Sequence, residues 1–245
     1  MNAALAAAAT LVALAFCLST LDRWLRRRRP HELAWTVSLA LFALGSLALW
    51  WAESAGWSLG AFRIFYMAGA VLNVPWLALG TVYLLARQHV GDRVKWWLVF
   101  LSGLTVGIVG FAPTKAPVSG DELPVGKEVF GIAPRVLAAV GSGVAAVVII
   151  AGALWSAWRV WRGRNPSLGG QRTIVNPGRL VWGNLLIATG TLVLSGSGTL
   201  AGRLGKDRAF AVTLLVGIVI LFIGFLVASA SPKRVAAAPE LRSVA

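Results

Sequence analysis

Eight residues along one apolar stretch, Phe62, Tyr66, Gly69, Asn73, Trp76, Gly80, Tyr83 and Arg87, recur at steps of 4, 3, 4, 3, 4, 3 and 4. On a helix this spacing places them on one face. Their chemistry is recognition rather than bond making: an amide at Asn73, ring faces at Trp76 and Tyr83, a second phenol at Tyr66. Pro75 withholds a backbone donor beside Asn73, which predicts a kink and a freed carbonyl. A second stripe, Asn184, Ala188, Thr191, Ser195, Gly198 and Gly202, repeats at 4, 3, 4, 3 and 4. The expected ligand-binding set is therefore Tyr66, Asn73, Trp76, Tyr83, Asn184, Thr191 and Ser195. Interhelical packing, with Asn73 hydrogen-bonded to a neighbouring helix, uses the same residue types. The spacing alone admits both.

Residues for other chemistries are missing or misplaced. His31 and His89 both fall in connections between apolar stretches, so paired axial ligands for an intramembrane haem are lacking. One cysteine, Cys17, and two such histidines make a dedicated metal site unexpected. All five lysines lie outside the apolar stretches, which excludes an intramembrane Schiff base. No mid-span residue is ionisable, which disfavours a carrier driven by a central carboxylate. Glu53 and Arg63 are placed to pair across a short connection, as boundary residues. The stretch Gly169–Gly178 lacks the Lys-Ser/Thr ending of a phosphate loop. No catalytic residue, cofactor or metal is expected.

What must position the two stripes is a set of membrane helices. The chain has 245 residues, 58% of them hydrophobic and 13% charged, with a mean hydropathy of +0.75. A soluble domain carries about 25% charge. Seven apolar stretches separate, roughly 3–21, 33–51, 62–86, 96–111, 135–158, 180–201 and 210–230, in a transmembrane domain of residues 1–232 followed by a short tail, 233–245. Crossing a bilayer takes about 20 apolar residues as a helix, and an open strand would strand its amides in hydrocarbon. The expected fold is thus an all-α membrane protein, a seven-transmembrane helix bundle. The basic run Arg26–Arg29 follows the first stretch rather than preceding it, so this stretch reads as an uncleaved span rather than a secretory signal.

The formal charge of +14 would suggest nucleic acid if it formed one soluble face. It does not. Sixteen of the 23 Lys and Arg, with four acids, fall on one set of connections and the tail; seven, with five acids, fall on the other. The resulting +12 against +2 puts the N-terminus outside and the C-terminus in the cytoplasm. Arg26, Arg27, Arg28, Arg29, Arg159, Arg162 and Arg164 are expected to meet anionic lipid headgroups. Gly103 and Gly107, followed by Gly110, and Gly141-Ser142-Gly143 read as helix-packing glycines, or as a contact with a second copy or a membrane-protein partner.

Residues 30–87 resemble the seven-helix membrane sensor module of bacterial histidine kinases and diguanylate cyclases. The similarity lies in a basic turn, Leu41-Phe42-Ala43-Leu44-Gly45-Ser46, Phe62-Arg63-Ile64-Phe65-Tyr66-Met67 and Val74-Pro75-Trp76. The resemblance implies an N-out seven-helix bundle that senses a ligand; no output domain follows the last span. Richness in Ala, Gly, Arg and Trp resembles proteins of high-GC bacteria and suggests the bacterial cytoplasmic membrane. The leading expectation is a non-enzymatic sensor or accessory subunit binding a small apolar or amphipathic ligand between spans three and six. An uncoupled small-solute transporter or exporter is the alternative. A lipid-modifying enzyme, with Glu53, Asp121, Glu122 and Glu128 as its available acids, is the third.

Overall fold

The structure, a computed structural model, describes residues 2–120, 122–162, 177–201 and 206–229. Its long helices are α1 (Asn2–Arg27), α2 (Pro30–Ala55), α3 (Leu59–Phe65) continued by a π-helical segment (Tyr66–Leu72) into α4 (Asn73–Leu85), and α5 (Gln88–Phe111). After a short turn, α6 (Gly126–Val129), come α7 (Ile132–Trp161), α8 (Pro177–Ala201) and α9 (Lys206–Ser229). Among the described residues, six helices are long and apolar enough to cross a membrane: Ala3–Arg27, Pro30–Ala55, Leu59–Leu85, Gln88–Phe111, Ile132–Ser156 and Ala209–Val227. The sixth expected span falls on α8, whose apolar run, Val181–Leu194, is shorter. The chain is a multi-pass helical bundle. The expected tail and most of the connector between α7 and α8, with Arg164, lie outside the described residues.

Local chemistry sets the helix ends. Two arginines, Arg26 and Arg27, close α1, where cations suit the negative end of the helix dipole. Arg28 then adopts a φ of 51°, reversing the chain before Pro30 opens α2. Gly56, at a φ of 86°, ends α2. Ser58 caps α3 by accepting the Ala61 N–H, and Trp57 packs its ring edge on Phe62, four positions past the cap. Cap and hydrophobic staple together fix how the chain enters this span.

The helices close a ring in the order α1, α2, α4, α7, α8, α9 and back to α1, while α5 stands against α4, the π segment and α7. One apolar cluster joins Ala6 of α1, Ala52 of α2, Phe62 of α3, Val109 of α5, Phe130 before α7 and Phe210 of α9. The starts of four helices and the ends of two thus share one end of the bundle, termed here the loop end. A second cluster joins Phe16 and Cys17 to Leu39, Phe42, Ile218 and Phe225. Five buried hydroxyls are satisfied within their own helices: Thr10, Thr36, Ser46, Thr105 and Thr191 each donate to the carbonyl four residues back.

Glycines sort the contacts by tightness. A Cβ at Gly190 would sit 2.7 Å from Leu221 N, and one at Gly224 would sit 2.8 Å from Ile187 N, so α8 and α9 touch backbone to backbone. By contrast, a Cβ at Gly103, Gly107 or Gly110 would meet nothing within 4 Å. The expected packing role of these three glycines is therefore corrected: α5 turns them away from the bundle. The spacing is right for a packing motif, but the helix faces its neighbours with other residues, such as Thr105 and Val109.

Candidate functional site

The mid-bundle site is built around a defect in one helix. Between Tyr66 and Leu72 the third span winds as a π-helix, and the Asn73 N–H bonds Ala68 O, five residues back. Pro75 lacks an N–H, so the carbonyl five residues before it, Ala70 O, has no partner there in the π register; Ser142 Oγ of α7 donates to it. Gly45 of α2 admits the wide turn, because its absent Cβ would lie 3.2 Å from Gly69 N. Such π turns are frequent at functional sites.

Asn73 follows directly and is buried. The Ser38 hydroxyl of α2 lies 2.7 Å from Asn73 Oδ1 and 2.9 Å from Asn73 O, and donates to them. Thr191 of α8 is also buried, its hydroxyl bonded to Ile187 O. Ser38, Asn73 and Thr191 share one cavity with apolar Phe42, Leu77 and Leu221. The cavity measures about 20 Å³, room for a water and far below the roughly 300–1,000 Å³ of a drug-sized ligand site. It joins α2, α4, α8 and α9 and therefore lies between spans three and six.

The other expected site residues are not gathered there. Tyr66 turns its hydroxyl to Pro134 O at 3.5 Å, at the loop end. Trp76 Nε1 donates to Ser102 Oγ of α5 at 3.2 Å, and the Tyr83 hydroxyl donates to Asp92 Oδ1 of α5 at 2.8 Å. The side chains of Asn184 and Ser195 lie outside the described residues. Two physical causes separate the stripe. The π segment adds residues per turn between Tyr66 and Asn73 and shifts the helical phase. Beyond it, Trp76 and Tyr83 stand about 60–80° around the helix from Asn73 at 100° per residue, far enough to face α5 rather than α2. Their rings still seat close neighbours: Gly91 lies against Tyr83 and Gly126 against Tyr66.

Two further features escape a reading of spans alone. Glu32, expected in a connection, lies in the first turn of α2 at 3% exposure, its Oε2 without a partner and its Oε1 4.0 Å from His31 Nε2. Pro30 at the first helical position with an acid two residues on is the signal that could have placed it inside the helix. At the loop end, Arg63 Nη2 donates to Ala112 O at 2.7 Å instead of pairing with Glu53. Its Nε and the indole Nε1 of Trp57 are both buried without partners. Among the expected headgroup arginines, Arg26 pairs with Asp22, while Arg28 and Arg162 lie over the rings of Trp24 and Trp158. No group of three or more His, Cys, Asp or Glu among the described residues is arranged to hold a metal ion.

Comparison with protein-family models, with curated proteins and with solved structures finds no match.

Proposed function

We propose that this chain is a non-enzymatic, multi-pass protein of the bacterial inner membrane, a sensor or accessory subunit that binds a small apolar or amphipathic ligand between spans three and six. The observation that carries the reading is the cavity shared by Ser38, Asn73 and Thr191 beside a π-helical turn. A polar patch at mid-bundle, surrounded by apolar side chains, suits an amphipathic molecule with one hydrogen-bonding group. The π turn supplies the slack to enlarge a cavity sized for a single water, since rewinding it repositions the loop-end half of the span relative to Asn73.

In this reading α8 is the sixth of seven spans. Gly183 and Gly190 of α8 meet Gly224 and Leu221 of α9, so the two run antiparallel side by side. The starts of α1, α3, α7 and α9 share one end with the ends of α2 and α5, which suits an odd number of crossings. With sixteen basic residues on the opposite end and tail, the N-terminus lies outside and the arginines face anionic headgroups. The outward Gly103 and Gly107 of α5 are offered to a second copy or a membrane-protein partner.

Thermal unfolding of the purified protein across a lipid and metabolite panel tests the reading. A binder raises the melting temperature, and Asn73→Leu removes that rise. If no compound shifts the transition, or a hit acts equally on Asn73→Leu, the reading fails. A carrier is the second reading: the third span is continuous but changes register at its π turn, and interrupted helices near the midplane mark many transporters. Solute flux in proteoliposomes, expected for the carrier and absent for the sensor, separates the two.

A further inference from the structure

The loop end holds two buried donors that no described residue accepts. Trp57 is 4% exposed, and its indole N–H has no acceptor. Arg63 Nε is equally inaccessible and equally unpaired. A buried unsatisfied donor costs about 1–3 kcal/mol, and native interiors carry few. Two at the same end of the bundle, six residues apart in the chain, call for an explanation.

They lie under one stretch of chain. Arg63 Nη2 holds Ala112 O, and the Trp57 backbone N–H holds Gly120 O at 2.8 Å. The intervening segment therefore arches from one residue to the other. The arch is anchored from below: Lys115 N donates to Val129 O, and Thr114 bridges to Phe130. The floor is aromatic. Trp57 packs on Phe62 and Phe65, Phe62 stacks on Phe130, and Phe65 meets Phe210. No carboxylate of a described residue lies within 4 Å of Arg63, so its charge has no described counter-ion at that distance.

We propose that Trp57 and Arg63 form a carboxylate-binding site under the 112–120 arch, for a small acid with an apolar body. The ligand class follows from the donors and the floor. One donor is part of a cation and the other is neutral, which suits a single negative charge shared over two oxygens. The aromatic floor suits a hydrocarbon body. Each oxygen of the carboxylate takes one donor, Trp57 Nε1–H and Arg63 Nε–H, while Arg63 keeps its bond to Ala112 O. This site is separate from the Asn73 cavity and does not depend on it.

The test uses the full chain in nanodiscs, with octanoate and benzoate as probes and octanol and benzamide as their uncharged counterparts. Melting temperature and calorimetric titration are read for the wild type, Trp57→Phe, Arg63→Lys and Asn73→Leu. The two carboxylates are expected to raise the melting temperature and the uncharged analogues to leave it unchanged. Trp57→Phe and Arg63→Lys should each weaken binding about tenfold, the effect of losing one charge-assisted hydrogen bond. Trp57→Phe keeps the packing on Phe62, so its ligand-free melting temperature should not fall. Asn73→Leu should retain carboxylate binding even where it abolishes a hit at mid-bundle. The proposal is overturned if neither carboxylate binds, if the neutral analogues bind as well, if both loop-end variants bind like wild type, or if Asn73→Leu removes the response. An unresponsive wild type would mean that the two donors are served by water alone.

Discussion

The middle of the bundle and its loop end treat buried polar groups in opposite ways. At mid-bundle the hydroxyls of Ser38 and Thr191 and the Asn73 carboxamide oxygen all have partners within the protein, and even the carbonyl left by Pro75 is met by Ser142. At the loop end, Trp57 Nε1 and Arg63 Nε have none among the described residues, although the surrounding aromatics pack closely. The first region is held together by its polar contacts; the second is held by rings and an arch and leaves its donors over. Removing a partnered group leaves a gap or an orphan, whereas removing an orphan leaves nothing unsatisfied. Mutation should therefore act with opposite sign in the two places.

The largest effect is expected where mid-bundle packing is tightest. A Cβ on Gly80 would fall 2.0 Å from Trp35 Nε1; Gly80→Ala should destabilise by about 1–3 kcal/mol through overpacking, read as a lowered melting temperature in detergent. The matched change Gly107→Ala, where a Cβ meets open space, should be neutral or slightly stabilising, because alanine is the better helix former. An equal loss at both positions would erase the distinction between the ring and α5.

Next comes Asn73→Leu, which removes the Oδ1 acceptor of Ser38. In membrane bundles such interhelical bonds contribute about 0.6–1.7 kcal/mol, so equilibrium unfolding should report a loss of that size. Ser142→Ala should cost less, about 0.6 kcal/mol, with its signature confined to faster hydrogen exchange around the π turn Tyr66–Leu72 that Ser142 braces. The smallest and most telling change is Trp57→Phe. It deletes an unpaired donor while keeping the ring on Phe62, so ligand-free stability should hold or rise. A clear loss would show that the indole N–H has a partner after all, and the contrast between the two regions would collapse.

Spans were legible in the sequence because hydropathy and length alone define them: five of the six long apolar helices begin within a turn of the expected bounds. The exception, α5, starts at Gln88 rather than Trp96, because Arg93 and Lys95 break the apolar pattern without breaking the helix. The tight Gly190 contact and the open Gly107 face could not be told apart, since glycine spacing states which residues permit close approach and not which face has a neighbour. Asn73 and Thr191 were found together because both are polar residues on apolar helices. Trp76 and Tyr83 were misgrouped with them because steps of three and ten residues along a regular α-helix still leave about 60–80° between side chains, enough to face α5 instead; the π turn, which leaves no mark in residue spacing, displaced Tyr66. The loop-end donors were invisible for another reason: Trp57 reads as an interface tryptophan and Arg63 as a boundary charge until the 112–120 arch is seen to cover them.

The central claim is that mid-bundle Asn73 belongs to a site that answers a small ligand. Its most direct test is the melting temperature of wild type and Asn73→Leu, measured side by side against one lipid and metabolite panel. The account predicts at least one compound that raises the wild-type value in proportion to its concentration and leaves Asn73→Leu unmoved. A panel with no such compound, or one whose hits stabilise both proteins equally, would contradict it.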